Sequence, residues 1–545
     1  MNSTVLKNNV LIAIAAFILF VPFLGAVHLF DWDEINFAEC AREMIVSHDF
    51  FSVKINFQPF WEKPPLFIWM QALSMSIFGI NEFAARLPNA ICGIVTLLVL
   101  YNIGRKLVDD KFGLIWVLTY AGSFLPHFYF KSGIIDPWFN LFIYLGIYYF
   151  ILFTNNKSSR LLIFSALFIG LGVLTKGPVA VLVFGLCAGV YWISRRFQPF
   201  MSWKQIIIYT LSVISVGGLW FLMLVLTGNS AIIKEFFLYQ VRLLSTQDAG
   251  HGGPFYYHWV VLLIGCFPMS VFALRAFRKN SFDTPYQKHF KLWMMILFFV
   301  VLILFSIVKT KIVHYSSLCY FPLSFMGAYS VYKLMTGEIQ WKKNTGILLA
   351  IIASVIGIAI SALPFIEKNK QEIISSKIIE DDFAIENLKA TVYWTGFEWL
   401  IGAVLIIGVI VMLFLINRKK TTFGLVGIFI ISLITVNMSA LVVAPRIELY
   451  SQNAAIEFYE SLQNKDCYVT TLDFKSYADL FYLHKMEPTN KKSYDIDWLL
   501  KGEIDKPAYF VIKVNDLTDT QKNYPELKEK YRKNGFVFLE RLPKK

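Results

Sequence analysis

Long apolar blocks, each about the length that crosses a bilayer and each closed by a short polar loop, leave this chain few folds to choose from. A helix satisfies its backbone hydrogen bonds internally, so blocks of this kind fold as spanning helices when lipid is the solvent. Of the 545 residues 56% are hydrophobic and only 16% charged, whereas soluble chains carry about a quarter charged residues. Mean hydropathy is +0.55. The expected fold class is a polytopic α-helical membrane protein with a small C-terminal α/β domain outside the membrane.

The net charge of +13 would suit a nucleic-acid binder, but the cations sit in short loops rather than along one polar face, and no nucleic-acid partner is expected. Runs able to cross roughly 30 Å of hydrocarbon lie near 10–30, 83–103, 112–130, 134–153, 160–175, 177–195, 205–227, 256–275, 291–308, 312–333, 345–366, 393–416 and 422–443, thirteen in all. Alternate loops hold Arg105, Lys106 and Lys111; Lys157 and Arg160; Arg195, Arg196 and Lys204; Arg275, Arg278, Lys279, Lys288 and Lys291; Lys342 and Lys343; and Arg418, Lys419 and Lys420. The positive-inside rule makes these loops and the N-terminus cytoplasmic, and the odd span count leaves the C-terminus outside. The run Val10 to Phe30 is too long for a usual signal-peptide core and lacks a small-x-small cleavage site, so a retained span is expected. The six cysteines form no disulfide framework and no CxxC pair.

Two outer segments are patterned as helices lying in the interface. In 34–48, Phe37, Ala41, Met44 and His48 share a face against Asn36, Glu39 and Glu43; in 231–244, Ile233, Phe236, Phe237 and Gln240 neighbour Lys234, Glu235 and Arg242. After Pro445 apolar density falls. A helix at 449–463, a strand at 467–472, a helix near 475–484, a strand at 508–514, a helix near 518–533 and a strand at 535–541 are expected, dividing the chain into a membrane domain, 1–445, and an extracytoplasmic domain, 446–545.

Chemistry concentrates at the outer ends of spans. Asp31-Trp32-Asp33-Glu34 puts three carboxylates in four residues, and crowding near low dielectric is expected to raise at least one pKa toward the range of a base. The ordinary alternative is that Asp33 caps the helix that follows, with Glu34 favoured by its dipole. Asp136 stands at the edge of an apolar helix, an expensive place for a charge without a function, although Pro137 makes it a natural N-cap. Glu62 and Lys63 precede the rigid Pro64-Pro65 turn, and a lysine suits phosphate binding as a point charge. The alternative there is a weak surface pair. Arg242, Lys309, Lys311 and Tyr315 lie where topology requires no positive charge, and the alternative for the cations is snorkelling to headgroups.

Together these residues resemble the GT-C class of lipid-phosphate-dependent membrane glycosyltransferases, most like the aminoarabinose transferases of lipid A and related to protein O-mannosyltransferases. The resemblance is carried by Asp33-Glu34 with Phe37-Ala38-Glu39-Cys40-Ala41-Arg42-Glu43-Met44, by Glu62-Lys63-Pro64-Pro65, Ala85-Arg86-Leu87-Pro88 and Ile135-Asp136-Pro137, by Leu174-Thr175-Lys176-Gly177-Pro178, and by Lys311-Ile312-Val313-His314-Tyr315. It implies that Asp33 is the catalytic carboxylate of the first outer loop, joined by Glu34, with Asp136 supporting the site from the second. Lys63 would face the donor phosphate with Arg242, Lys309, Lys311 and Tyr315, while Arg42, Glu62 and Lys176 support the site. The aminoarabinose branch often has an Arg three residues after the first-loop Asp, where this chain has Asn36. A divalent metal is the one cofactor considered, with Glu62 as its candidate ligand.

The implied reaction is inverting transfer of a sugar, with 4-amino-4-deoxy-L-arabinose as the candidate, from a polyprenyl-phosphate donor. Lipid A, another envelope glycan or a protein would accept it on the outer face of a bacterial inner membrane. An acceptor oxygen attacks the anomeric carbon, a carboxylate takes or orients its proton, and cations stabilise the departing lipid phosphate. A protein O-mannosyltransferase-like enzyme differs only in the acceptor groove. A lipid or solute transporter would place its charges near mid-membrane and show inverted repeats, and here the charges gather at span ends.

Overall fold

The computed structural model describes residues 3–245, 252–277, 283–376 and 378–544, so Arg278 and Lys279 lie outside the described residues. It is a polytopic helical bundle: among the described residues eight helices are long and apolar enough to cross a membrane, or ten if two bent pairs each form one span. In chain order come α1 (Ser3–Phe20), α2 (Asp33–Ser47), the short strands β1 (Lys54–Ile55) and β2 (Gln58–Pro59), α3 (Leu66–Phe78), α4 (Glu82–Leu107), α5 (Asp110–Ala121), α6 (Phe124–Tyr129), α7 (Asp136–Asn156), α8 (Ser159–Lys176), α9 (Val179–Ser194), α10 (Trp203–Gly217), α11 (Leu219–Leu226), α12 (Ala231–Ser245), α13 (Tyr257–Gly265), α14 (Met269–Ala276) and α15 (Pro285–Ile307). A 3₁₀ segment, Val313–Cys319, leads into α16 (Tyr320–Met335), followed by α17 (Lys343–Lys368) and the apolar helices Trp399–Asn417 and Thr421–Met438.

Several helices differ from their apolar runs because proline and glycine interrupt them. The first helix ends at Phe20 rather than near residue 30, since Pro22 has no N–H with which to continue the ladder. The run at 256–275 bends by 110° between α13 and α14, where Pro268 falls, and the run at 205–227 bends by 53° at Gly218. The run at 112–130 breaks between α5 and α6 at Gly122, where a Cβ would lie 2.8 Å from the Phe429 carbonyl. Helix α3, 13 residues long, forms where no span was expected. Reaching thirteen spans would require α5, α9 and α16, of 12, 16 and 16 residues.

The bundle is tightest where glycines let backbones meet. A Cβ on Gly104 of α4 would lie 2.9 Å from the Gly113 Cα of α5, the close approach that small residues permit between helices in lipid. The aromatic rings of Trp116, Phe290 and Phe325 fill the centre, with Trp116 and Phe325 centroids 5.2 Å apart.

Helix α2 is not a surface helix. Every residue from Glu34 to Met44 is buried, and the expected polar face meets protein instead of water. Arg42 donates to both oxygens of Glu39 at 2.7 Å and to the Lys485 carbonyl at 2.6 Å, and the Phe57 N–H donates to Glu43 at 2.8 Å. Helix α12 does keep an amphipathic habit: Ile232 and Phe236 are buried against Leu174, Trp220 and Leu224, while Phe237 and Arg242 are exposed.

The C-terminal residues build a four-stranded sheet of order β3 (Tyr468–Thr471), β4 (Ala508–Lys513), β6 (Phe536–Arg541), β5 (Lys528–Lys533). Strands β3 and β4 are parallel and the other pairs antiparallel. The helix expected over 518–533 stops at Asn523, before Pro525, and its second half is the edge strand β5. All six residues of β5 are exposed and five are charged, which blunts edge-to-edge pairing. The helix expected near 475–484 is a single turn, Ala478–Phe481, and that expected at 449–463 is split into Ala444–Tyr450 and Asn453–Ser461.

Candidate functional site

Four titratable side chains from distant segments converge at one end of the bundle. Asp33 opens α2, Asp136 opens α7, Lys176 closes α8, and His314 lies in the 3₁₀ segment before α16. Lys176 Nζ is 2.5 Å from Asp136 Oδ1. His314 Nε2 stands between the two aspartates, 3.1 Å from Asp33 Oδ2 and 3.9 Å from Asp136 Oδ2. Neither aspartate acts as a helix cap through its side chain: α2 and α7 are preceded by Trp32 and Ile135, without a side-chain capping bond.

The chain around Asp33 is organised by Arg86. Its Nε and one Nη2 proton go to the two oxygens of Glu34, each at 2.8 Å, and the rest go to the carbonyls of Leu24 at 2.7 Å, Val27 at 2.6 Å and His28 at 2.9 Å. Five N–H groups thus meet five acceptors, the full donor capacity of a guanidinium. Glu34 accepts in addition from the N–H of Phe30 at 2.8 Å and of Gly133 at 2.5 Å. Four donors fill a carboxylate, so Glu34, expected from the sequence as a second catalytic carboxylate, is occupied in tying the two outer loops together.

Asp136 is placed by the same web. The Asn89 amide donates to the carbonyls of Ser132 and Ile134, both at 2.6 Å, and Gln71 donates to that of Gly133 at 3.3 Å. A Cβ on Gly133 would lie 3.1 Å from Glu34 Cγ and 3.3 Å from the Ala85 carbonyl, so a side chain there would press on Glu34. Lys176 is followed by Gly177 at φ +91°, where a Cβ would lie 2.7 Å from the Phe236 ring. That left-handed residue ends α8 so that the ammonium is delivered to Asp136. His314 is held through its backbone: Tyr129 donates to the His314 carbonyl at 3.3 Å and to Ser317 at 2.8 Å, and Asn140 also donates to Ser317 at 2.8 Å.

Other expected site residues divide. Lys63 flanks the cluster, with Nζ 4.0 Å from Glu62 and 5.2 Å from the Tyr239 ring centroid. Tyr239 donates to Glu62 at 3.0 Å, and the Arg242 guanidinium lies 5.2 Å from the same ring, so α12 is docked against the Glu62-Lys63 turn. Tyr315 stands beside Lys176, 5.3 Å from ring centroid to Nζ. Lys311, expected from the sequence at the phosphate, donates to the carbonyls of Phe305, Ser306 and Val308 at 3.0, 2.7 and 2.6 Å and caps the C-terminus of α15. A lysine has only three protons to give. Lys309 is exposed. Arg42 braces α2 against the C-terminal residues, away from the aspartates. Glu62 has a tyrosine hydroxyl and an ammonium for company, and among the described residues no group of three or more His, Cys, Asp or Glu could hold a metal.

The electrostatics of Asp33 reverse the expectation drawn from carboxylate crowding. Burial pushes its carboxyl up, but the His314 contact and the charges of Lys63 and Lys176 outweigh it and hold Asp33 well below the usual carboxylate range. Cations, not Asp31 and Glu34, are its effective neighbours in space. Asp33 is therefore ionised at neutral pH and suited to orienting a proton or a positive centre. The site also holds a buried atom without a hydrogen-bond partner, Asp136 Oδ2. Such an atom is costly unless a ligand completes it. Two carboxylates, an imidazole and two ammonium groups suit a ligand that carries both an anionic group and hydroxyl or amino groups. A cavity of about 710 Å³ lined by Leu334, Lys419, Lys420 and Phe423 lies at the C-terminal end of α16, apart from this cluster.

His314 and Arg86 were legible only as members of short motifs. Neither spacing nor composition marks Arg86 as a hub, because its acceptors are main-chain carbonyls.

Residues 62–226 match the family described as dolichyl-phosphate-mannose-protein mannosyltransferase. A protein of Aquifex aeolicus is 29% identical over 326 residues, covering 58% of this chain and 72% of its own. The undecaprenyl phosphate-alpha-4-amino-4-deoxy-L-arabinose arabinosyl transferase of Shewanella sediminis is 24% identical over 371 residues, covering 67% of each chain. The crystal structure of ArnT from Cupriavidus metallidurans bound to undecaprenyl phosphate has the same fold, with a TM-score of 0.75 at 17% identity over 97% of both chains.

Proposed function

We propose that this chain, a lipid-phosphate-dependent membrane glycosyltransferase of the GT-C class, moves 4-amino-4-deoxy-L-arabinose from a polyprenyl-phosphate donor to lipid A on the outer face of a bacterial inner membrane. The observation that carries this reading is the convergence of Asp33, Asp136, His314, Lys176 and Lys63 on one end of the bundle. The names of the relatives support the donor and the sugar.

The acceptor oxygen attacks the anomeric carbon as the bond from that carbon to the donor phosphate breaks, and the bonding pair leaves with the lipid phosphate. Lys63, beside the Pro64-Pro65 turn, faces that phosphate and stabilises the charge it gains. Asp33 orients the acceptor or the amino group of the sugar, and Asp136, held by Lys176, supports it. A lipid A phosphate is already anionic and needs positioning rather than deprotonation, which agrees with an Asp33 too acidic to be a strong base.

The family match over 62–226 favours a second reading, transfer of mannose to a protein hydroxyl. Purified protein given each donor with each acceptor, with products weighed by mass spectrometry, separates the two. Aminoarabinose on lipid A is expected; mannosylated peptide alone would replace the first reading with the second.

The proposed topology puts the N-terminus in the cytoplasm and residues 446–545 outside, with thirteen spans, and is supported by the one-sided Lys and Arg loops. Cysteines introduced at Asn387 or Asn464 should then react with an impermeant thiol reagent in intact cells, and one at Asn417 should not. Labelling on the opposite sides would sink this topology.

A further inference from the structure

The chain between the end of α1 and Asp33 has no strand or helix to satisfy its peptide groups, and buried peptide groups need partners. From one side Arg86 supplies them. From the other, residues more than four hundred positions away do. The Gln452 side chain donates through Nε2 to the Leu29 carbonyl at 2.7 Å and accepts through Oε1 from the Asp31 N–H at 3.2 Å. One amide thus serves two alternate peptide groups, as a neighbouring strand would. The Tyr482 hydroxyl accepts from the Leu29 N–H at 2.6 Å. His28 Nδ1 lies 3.0 Å from Glu448, and Asp31 Oδ1 accepts from the Tyr477 N–H at 3.4 Å.

Next in the chain is Trp32, a non-glycine residue at φ +74°, with the Lys475 ammonium 5.6 Å from its ring centroid. A residue held in that region persists only where its surroundings over-determine it. Asp33 follows directly, so any relaxation of Trp32 swings the carboxylate.

We propose that Gln452 and Tyr482 are positioning residues for Asp33, through which the C-terminal residues fix the catalytic geometry of the first outer loop. Neither touches the reacting atoms; they clamp Leu29 and Asp31 and so hold Trp32 strained and Asp33 aimed between His314 and Lys63. The proposal rests on the reading that Asp33 acts in transfer.

The test uses the purified full chain and the steady-state kinetics of Gln452→Glu, Gln452→Met and Tyr482→Phe, with Asp33→Asn alongside. Gln452→Glu keeps the acceptor for the Asp31 N–H and loses the donor to Leu29; Gln452→Met loses both. A misplacement of about 1 Å costs on the order of 100-fold, so kcat should fall about tenfold or more in Gln452→Met and less in Gln452→Glu and Tyr482→Phe. KM for the lipid-phosphate donor should stay within about twofold, since the Lys63 side of the site is untouched. Melting temperatures should remain near that of the unaltered chain. Unchanged kcat in all three variants, or a loss that tracks falling melting temperature or rising KM, would overturn the proposal. An active Asp33→Asn overturns the underlying reading instead, whereas an inactive Asp33→Asn beside unaffected clamp variants overturns only the clamp.

Discussion

Glu34 and Arg86, 52 residues apart, form a bidentate ion pair whose two contacts are both 2.8 Å and whose side chains are almost wholly buried. Removing one partner of a buried pair strands the other, at a cost of about 3–5 kcal/mol. Arg86→Met is therefore expected to lower thermal stability sharply and to reduce the amount of folded protein in the membrane. Arg86→Lys should recover little, because three protons cannot serve five acceptors. A stably folded Arg86→Met whose only defect is slow transfer would show that the pair belongs to the chemistry instead.

Asp33 separates differently. Its side chain makes no capping bond to α2, so Asp33→Asn costs little helix stability and removes the charge that faces His314, Lys63 and Lys176. Expected is a protein that is inserted and melts close to the unaltered chain, yet transfers sugar slower by roughly 100-fold, the order that lost positioning of a reacting group costs. Transfer to lipid A and to a hydroxyl acceptor should both be measured. Near-normal rates with both would remove Asp33 from the site.

What the sequence made legible follows from which interactions leave a pattern. Apolar run length announces helices, so most of α4, α7, α8, α15 and α17 lie where expected. Run length does not announce a bend, and the breaks at Gly122, Gly218 and Pro268 depend on which backbone or ring each residue must avoid. Asp33, Asp136 and Lys63 were legible because charge at the ends of apolar runs is conspicuous, and Lys176 only through the short motif that carries the resemblance; Asp33, Asp136 and Lys176 do meet. Glu34 and Lys311 looked equally conspicuous. Their carboxylate and ammonium are consumed by main-chain and guanidinium partners that only the folded chain brings near. Helix α2 misled for a related reason: Asn36, Glu39 and Glu43 form a polar face in either setting, and nothing local says whether water or Arg42 and the Phe57 N–H will satisfy it.

The two outer lysines with contrasting surroundings predict contrasting losses. Lys63 lies beside Glu62 and the Tyr239 ring and, among the described residues, holds no main-chain acceptor, so Lys63→Ala should raise KM for the lipid-phosphate donor and leave the melting temperature nearly unchanged. Lys311 spends its protons on three carbonyls at the end of α15, so Lys311→Met should lower stability and leave donor KM near normal. Donor titrations and melting curves on both variants check the assignment. The reverse pattern would move the phosphate site to Lys311.

Asp479 predicts a pH dependence that involves no substrate. It is 5% exposed in the one-turn helix Ala478–Phe481, and burial, with the charges of Asp31 and Glu39 adding and Lys485 opposing, pushes its carboxyl up to about 7. In the unfolded chain the same group releases its proton near the ordinary value of about 3.9. The folded state therefore favours the neutral acid, and the stability this confers is complete below pH about 4 and lost as pH rises toward 7. Above about 7 the loss is constant. Asp479→Asn keeps the size and removes the titration, so the variant should melt higher than the unaltered chain at neutral pH, by a free energy on the order of 1–4 kcal/mol. Glu43, pushed up to about 9 by burial and by Glu39, adds a similar decline that continues to higher pH and is common to both proteins. The difference between their melting curves is thus the quantity to measure. It should open between pH about 4 and 7 and stay level beyond, whereas parallel curves across that window would mean that Asp479 stays charged in the folded chain.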